Sequence, residues 1–277
     1  MRSWNRGRRH ARKFMRGTGA VIESVGASPR PADFTFWGEW EPPSRVSKLD
    51  GVGERNPQWL HEPYIDWDES PDLQNTDPFV FGPRFRYTLC QQIDKLGRVK
   101  VLRHLPPGSV VLFGSCSRRQ FLLDTVFVTG DEFIDWTDKT RPTSVHGDDE
   151  GVFQHATLDR IGGTPSIGLR LYSAAMYSER ERFGDLFSFV PCSVSADGRA
   201  SFARPVIELP NISAQNTGHK CLAHTTADTV RLWNDVVETV LGNEQSLSLA
   251  VRIDPPSWNR DPRHVGRPVS TSSSRCS

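Results

Sequence analysis

The chain has 277 residues, of which 36% are hydrophobic and 24% are charged, and its formal net charge at pH 7 is +1. A balance this close to neutral argues against a protein that binds nucleic acid through a uniformly basic surface, although local basic patches remain compatible with it. The hydrophobic content is sufficient for a core, and the length fits one large domain with tails.

The cysteines show neither a disulfide framework nor a zinc motif, because their number is odd and no two of them are separated by two residues. No apolar run approaches the roughly 18 residues that a membrane span needs, and the first residues lack the apolar stretch of a secretory signal. The sequence therefore predicts a cytoplasmic protein without a membrane segment. Its reduced thiols would be Cys90, Cys116, Cys192, Cys221 and Cys276.

The chain begins with a basic segment, residues 1–16. This segment contains no acid, and the first acid of the chain is Glu23. We interpret this segment as a flexible arm. Its arginines and lysine either contact phosphates or are simply solvated, and the sequence leaves both alternatives open.

The stretch DFTFWGEWEPPS, which begins at Asp33, alternates in the manner of a strand. Two tryptophans beside glutamates could stack and hydrogen-bond a planar ligand such as a base. The glutamates could instead be a general acid/base or metal-binding pair, or the whole strand could be core with structural ion pairs. Alternation places Trp37, Glu39 and Glu41 on one face, and Phe36 and Trp40 on the other.

Residues 45–78 are polar and interrupted by proline, so we expect a long loop with little regular structure. His61 and Glu62 are adjacent in this segment and could transfer a proton. Residues 77–92 then show Phe85 and Tyr87 alternating with Arg84 and Arg86. Arginines on a strand beside aromatic residues suit the capture of a phosphate or carboxylate, and solvated arginines on an edge strand are the alternative.

Residues 105–129, LPPGSVVLFGSCSRRQFLLDTVFVT, predict the hairpin around which the fold is organised. A proline–glycine turn precedes the two apolar runs, 109–113 and 121–128, and the connector between them is short. Asp124 interrupts the second run. We expect its carboxylate either to lie on a solvated face or to bond backbone in a bulge, with a functional carboxylate at a strand end as the alternative.

Farther along the chain, Asp197-Gly198 predicts a hairpin that joins the strand region 185–192 to 202–209. Thr225 to Leu241 predicts an amphipathic helix with an N-terminal cap at Thr225, and the alternating segment 246–253 predicts a final strand. The sequence as a whole predicts an α+β fold, β-rich and mostly antiparallel, with a C-terminal helix followed by a strand. We expect one domain over 17–254 and a disordered tail over 255–277.

The common phosphate-loop, dinucleotide, zinc-protease and serine-hydrolase motifs are absent from the sequence, so no cofactor and no metal ligand set is indicated. The hairpin segment LPPGSVVLFGS…FLLDTVFV resembles the core of PUA-like barrels, including the ASCH and EVE modules, although Ser109 stands where those families often carry an acid. The stretch FWGEWEPPS is similar to uncharacterised bacterial proteins grouped as nucleotide-modification-associated domains. The PUA-like resemblance implies a barrel core and recognition of RNA or modified bases by an aromatic-walled pocket.

These observations lead to one hypothesis and two alternatives. The hypothesis is a domain that binds a nucleotide or a base of DNA or RNA, with no membrane partner and with protein partners unknown. Its ligand-binding residues would be Trp37, Trp40, Arg84, Arg86 and Tyr87, with a base-edge hydrogen bond from Glu39. The first alternative is an enzyme that acts on nucleotides or nucleic acid through Glu39, Glu41, Asp124 and His61, with or without a divalent cation. The second is a structural component of a protein assembly.

Overall fold

The computed structural model describes residues 12–51, 57–66, 75–94, 96–117, 120–148, 151–161, 164, 166–202, 204–208, 225–252 and 257–259. Strands dominate this part of the chain, and most of them pair in antiparallel fashion. The strands are β1 (Arg12–Ile22), β2 (Arg30–Glu39), β3 (Ser44–Lys48), β4 (Trp59–Asp66), β5 (Arg86–Tyr87), β6 (Val110–Ser117), β7 (Gln120–Trp136), β8 (Leu169–Ala174), β9 (Val190–Val194), β10 (Val206–Ile207), β11 (Ser246–Arg252) and β12 (Ser257–Asn259). The α-helices are α1 (Val152–Ala156) and α2 (Thr226–Gly242), and short 3₁₀ helices cover Val101–Arg103, Leu158–Arg160 and Tyr177–Phe183.

Four strands of the first sheet close into a small barrel. The long strand β1 pairs with β2 along its length and with β11 over its second half. The short strand β9 pairs with β2 on one side and with β11 on the other, which completes the ring. Outside the ring, β4 continues the sheet from β1, and β3 and β12 flank β4.

The second sheet is built on β7, which has 17 residues. Its first half pairs with β6 and with β10, and its second half pairs with β8, which in turn pairs with β5. The predicted hairpin of residues 105–129 is therefore confirmed as β6–β7, although β7 runs farther than the apolar run because Phe133 to Trp136 pair with β8 after an irregularity in the register.

Two apolar clusters hold these sheets together. One is rich in aromatic side chains and includes Phe36, Trp40, Phe85 and Tyr87. The other lies beneath α2, where Trp233 packs against Phe187 and donates a hydrogen bond of 3.0 Å from its indole Nε1 to the Phe187 carbonyl. Burial of these large side chains is the dominant stabilising contribution to such a fold.

The C-terminal helix and the strand after it form as predicted. The hydroxyl of Thr225 accepts a hydrogen bond of 3.1 Å from the Asp228 backbone N–H, which satisfies one of the free donors of the first turn of α2. Leu247 and Leu249 of β11 are buried, as the alternation predicts, and the described residues bear out the β-rich fold class. No described helix has the length and apolar character needed to cross a membrane.

Several sequence predictions need correction. The expected loop 45–78 contains the ladder β3–β4, because the backbone pairs despite the polar side chains. The predicted hairpin at Asp197-Gly198 does not form, since β9 joins the barrel and β10 joins β7 in the other sheet. The alternating aromatic run within residues 77–92 gives only the two-residue strand β5, with its aromatic side chains buried in the core.

Both predicted tails contain ordered residues. Arg12 to Arg16 form the first part of β1, so the expectation of a flexible arm does not hold for them, and residues 1–11 lie outside the described residues. Ser257–Asn259 pair in parallel with β4, which corrects the expectation of disorder at these positions. The rest of the predicted tail, residues 255–256 and 260–277, lies outside the described part.

Candidate functional site

Two of the predicted carboxylates meet at one arginine. In the β1–β2 ladder Arg12 is the cross-strand partner of Glu39, and its Nη2 lies 3.2 Å from Glu39 Oε2. Its Nε lies 2.6 Å from Asp124 Oδ2. The fold therefore brings Glu39 and Asp124 together across a sequence separation that no local pattern could bridge.

A bulge in the β6–β7 hairpin accounts for the position of Asp124. Thr125 pairs with Phe113 and Leu123 pairs with Gly114, so Asp124 is the extra residue of β7 at that point. A bulge of this kind turns a side chain away from its regular direction. Asp124 thus lies in a bulge as expected, but its carboxylate is paired with guanidinium groups instead of backbone. The expectation of a solvated carboxylate is wrong, because Asp124 is only 4% exposed.

Arg204 is the second cation at this site, and the sequence prediction missed it. Its Nη1 donates to Asp124 Oδ1 at 2.7 Å and to the Ser115 hydroxyl at 3.0 Å. Its guanidinium carbon lies 4.9 Å from the ring centroid of Trp37, which is a cation–π contact. We refer to Arg12, Trp37, Glu39, Asp124 and Arg204 as the arginine–carboxylate cluster.

Burial and ion pairing act in opposite directions on the charges of this cluster. Burial raises the pKa of Asp124, while Arg12 and Arg204 oppose that shift by stabilising its ionised form. Burial alone would lower the pKa of Arg12, but the neighbouring Asp124 and Glu39 carboxylates reverse this and raise it. The pKa of Arg204 is lowered, because burial outweighs the attraction of Asp124.

Aromatic side chains support the cluster from the same face of the barrel. The ring of Phe14 lies 4.2 Å from the ring of Trp37, its cross-strand partner, measured between centroids. Phe14 also contacts Phe202 edge to face at 5.4 Å. Phe202 belongs to the segment between β9 and β10, so this segment covers the β1–β2 face and carries Arg204 onto Trp37.

A cleft of about 440 Å³ opens beside this segment. It lies between residues 201–202 and 204–206, strand β9 and the residues that follow α2. Its polar lining consists of Ser193, Ser201, Arg204, Asn243, Glu244 and Gln245, and its apolar lining of Phe202, Pro205 and Val206. The cleft thus reaches the edge of the arginine–carboxylate cluster at Arg204.

Glu41 and Trp40 occupy different surroundings. Glu41 is half-buried and close enough to Arg12 to raise the pKa of its guanidinium, so it belongs to the same charged neighbourhood. Trp40 lies on the opposite face, fully buried, where its Nε1 donates to the Pro43 carbonyl at 3.0 Å and its ring packs against Phe81. Trp37 and Trp40 therefore do not line one pocket.

The other predicted ligand-binding residues are engaged inside the fold. Arg84 forms an ion pair with Glu179 at 2.7 Å. Arg86 is 1% exposed, donates to the His146 carbonyl at 2.6 Å and lies over the ring of Phe153. Tyr87 is fully buried, stacks against Tyr172 and donates its hydroxyl to the Cys90 carbonyl. None of these three is placed at the cleft.

The neighbours His61 and Glu62 point to opposite faces of β4, as successive residues of a strand do. His61 Nδ1 lies 2.9 Å from the Ser44 hydroxyl, whereas Glu62 pairs with Arg45 at 3.2 Å. The predicted proton-transfer pair is therefore not formed. Burial, assisted by Lys13, lowers the pKa of His61 to about 4.

Comparisons of the chain with protein-family models, with curated proteins and with solved structures find no match. Among the described residues no group of three or more histidine, cysteine, aspartate or glutamate side chains is arranged to hold a metal ion. Inference about function therefore rests on the cleft and on the cluster beside it.

Proposed function

We propose that the chain binds a nucleotide or a nucleic-acid base in the cleft beside Arg204. The observation that carries this proposal is a concave site of about 440 Å³ whose lining combines amide and hydroxyl side chains with Phe202 and Arg204. Small-molecule sites are typically clefts of about 300–1,000 Å³ that combine apolar surface with a few placed polar groups.

Each part of the lining has a counterpart in such a ligand. The amides of Asn243 and Gln245 carry both donors and acceptors, which is what the edge of a base requires, although Asn243 already donates to the Thr239 carbonyl at 2.8 Å and Gln245 is 6% exposed. Phe202 offers an aromatic surface, and Arg204, whose side chain is 4% exposed, places a buried positive charge at the edge of the cleft that would attract a phosphate. Trp37 acts behind Arg204 rather than in direct contact with the ligand.

The arginine–carboxylate cluster would serve this function by holding Arg204 in place. An arginine side chain has many rotamers, and ordering it on binding lowers affinity. Asp124, Ser115 and Trp37 already fix the guanidinium through two hydrogen bonds and a cation–π contact, so little of this ordering remains for the ligand.

The PUA-like resemblance is part of this proposal. The small closed barrel of β1, β2, β9 and β11 supports a comparison with barrel modules. The segment on which the resemblance rests, 105–128, belongs instead to the second sheet through β6 and β7. The proposed ligand class therefore depends on the cleft and not on that segment.

The alternative function is a carboxylate-dependent enzyme, and the convergence of Glu39 and Asp124 on Arg12 is the observation in its favour. A catalytic acid or base must come within hydrogen-bond reach of its substrate. Glu39 is 6% exposed and Asp124 4% exposed, and both carboxylates are held by guanidinium groups, which favours a supporting role. If the chain is such an enzyme, Glu39→Gln should abolish turnover of a bound nucleotide and leave the affinity of the chain for that nucleotide unchanged.

A thermal-shift screen of the purified chain tests the proposal. Nucleosides, nucleotides, inorganic phosphate and short DNA and RNA oligonucleotides are compared, each with and without a divalent cation. A ligand at 100 times its Kd stabilises the folded state by about 2.7 kcal/mol. We expect stabilisation by a nucleoside or nucleotide without any cation. Stabilisation by inorganic phosphate alone, or by no compound in the set, would contradict the proposal.

A further inference from the structure

The ladder β3–β4 presents two faces of different character. Its register pairs Ser44 with Pro63, Val46 with His61 and Lys48 with Trp59, and these pairs share one face. We call these six residues the Trp59 face. The opposite face carries Leu60 and Tyr64, which are 4% and 3% exposed and pack into the fold.

The end of the Trp59 face that carries Val46, Lys48 and Trp59 is exposed to solvent, whereas Pro63 at its other end is buried. Trp59 is 50% exposed and Val46 is 48% exposed, and Lys48, directly across from Trp59, is exposed as well. A tryptophan with half of its surface in water is unusual for a side chain that ordinarily buries a large apolar area. The face is therefore a candidate contact surface.

Charge favours a polyanionic occupant. None of the six residues of the Trp59 face is acidic. The acid of this ladder, Glu62, points to the other face, where it pairs with Arg45 at 3.2 Å. Buried Lys13 of β1 adds positive potential, since it contributes to the lowered pKa of His61.

The sequence that precedes β1 is basic. Met15 pairs in parallel with His61, so the start of β1 is level with the start of β4, where Trp59 lies. The residues that precede Arg12 in the chain, MRSWNRGRRHA, contain four arginines and no acid. The chain thus enters β1 from a basic segment that is connected close to the exposed tryptophan.

We propose that the Trp59 face is a docking surface for single-stranded nucleic acid. A base stacks on the indole of Trp59, and a neighbouring phosphate meets Lys48. Aromatic side chains on strands bind single strands in this way without sequence preference, since every base has a stacking face. Lysine supplies the salt-dependent attraction to the backbone. This surface is separate from the cleft at Arg204, and the inference does not depend on the function proposed for that cleft.

Fluorescence anisotropy with labelled 12-residue single-stranded RNA and DNA tests the inference on the full chain. The variants are Trp59→Ala, Trp59→Phe and Lys48→Ala. Phe133→Ala is the matched control, because Phe133 is 48% exposed on β7 of the other sheet. A urea-unfolding curve for each variant verifies that it is folded.

We expect Trp59→Ala to weaken oligonucleotide binding by about tenfold or more, from the loss of one stacked base, and Trp59→Phe to restore most of it. Lys48→Ala should reduce the slope of log K against log salt by about 0.7, as expected for one phosphate contact with a single strand. Phe133→Ala should leave both quantities unchanged.

Two results would overturn the inference. One is the absence of oligonucleotide binding by the unaltered chain. The other is an equal effect of Trp59→Ala and Phe133→Ala on oligonucleotide binding. Either result would favour a protein as the partner of this face. Failure of mononucleotide binding at the cleft would not bear on it, because the Trp59 and Lys48 substitutions change the Trp59 face and leave the residues that line the cleft unaltered.

Discussion

Replacing Asp124 with asparagine removes a negative charge from the arginine–carboxylate cluster while nearly keeping the shape of the side chain. In the folded protein Asp124 lies 2.6 Å from Arg12 and 2.7 Å from Arg204. Asparagine can still accept a hydrogen bond from one of them. It cannot neutralise either guanidinium, so Arg204 loses its charged partner and Arg12 keeps only Glu39.

The expected loss of stability follows from the burial of the group. The side chains of Asp124 and Arg204 are each 4% exposed, and that of Arg12 is 11% exposed. Removing one partner of a buried ion pair destabilises a protein by about 3–5 kcal/mol, because the remaining charge is left uncompensated in a medium that solvates it poorly. That is a large fraction of a typical free energy of unfolding, about 5–15 kcal/mol.

Urea unfolding followed by tryptophan fluorescence measures this loss. Asp197→Asn is the matched control, since Asp197 pairs with Arg199 at 3.7 Å with both side chains more than 60% exposed. Exposed pairs contribute about 0–1 kcal/mol, so the control should lose little. If Asp124→Asn lost no more than Asp197→Asn, the cluster would not be the buried, charge-coupled unit described above.

A double substitution provides a second check of the same reasoning. Asp124→Leu combined with Arg204→Met removes both charges of one pair and leaves Arg12 with Glu39. Replacing a buried pair by apolar groups of similar volume is often neutral or stabilising. The double variant should therefore be more stable than Asp124→Asn, although it should lose the nucleotide affinity that depends on Arg204.

Three further predictions concern stability. Buried Asp77 has a pKa of about 6, raised by burial despite three backbone N–H donors, above about 3.9 in an unfolded chain. The folded state therefore keeps an extra proton between these pH values, so the free energy of unfolding should fall by up to about 3 kcal/mol as the pH rises through them. Urea unfolding at several pH values measures this dependence, and Asp77→Asn should remove it. Gly114→Ala should destabilise the β6–β7 bulge by about 1–3 kcal/mol, because a Cβ would clash with the Leu122 carbonyl, whereas Gly242→Ala has open space and should lose nothing. Thr225→Ala should lower stability by about 1 kcal/mol through loss of the α2 cap, and a thermal melt that showed no difference would contradict the role of that hydroxyl.

Local patterns predicted the elements whose stability is local. The α2 helix is predictable because its cap residue and its apolar stripe lie in one continuous segment, Thr225 to Leu241. The β6–β7 hairpin was recognised because two apolar runs flank a short connector. The sequence does not reveal the β3–β4 ladder, because exposed Val46 and Trp59 lie on one face and charged Glu62 lies on the other. The alternation of apolar and polar residues that marks a strand is therefore weak.

The candidate site depends on contacts between distant parts of the chain, and only part of it was predictable. Trp37 and Glu39 were selected for their unusual density of aromatic and acidic groups, and Asp124 because it interrupts an apolar run. Arg204 carries a comparable signal, because it is an arginine inside the apolar run FARPVIEL. The run itself predicts a strand and does not indicate which partner the arginine has. Partners separated by 80 residues, such as Arg204 and Asp124, are fixed by topology that no local pattern reveals.

The cleft itself could not be predicted, because its walls come from three elements that are apart in sequence. Ser193 lies on β9, Ser201 lies in the connection to β10, and Gln245 follows α2. The sequence predicts a hairpin at Asp197-Gly198, and a hairpin would place the strands on both sides of it in one sheet. Because β9 and β10 join different sheets, the chain between them crosses the β1–β2 face and forms one wall of the cleft.

The most direct test of the central claim is isothermal titration of the nucleotide that stabilises the chain most, with cleft-filling and control variants. Ser201→Trp places an indole in the cleft, and Ser178→Trp adds the same side chain at an exposed position of the 3₁₀ helix Tyr177–Phe183. We predict that Ser201→Trp abolishes binding while Ser178→Trp binds as the unaltered chain does. Equal affinities of the two variants would contradict the claim that the ligand occupies the cleft beside Arg204.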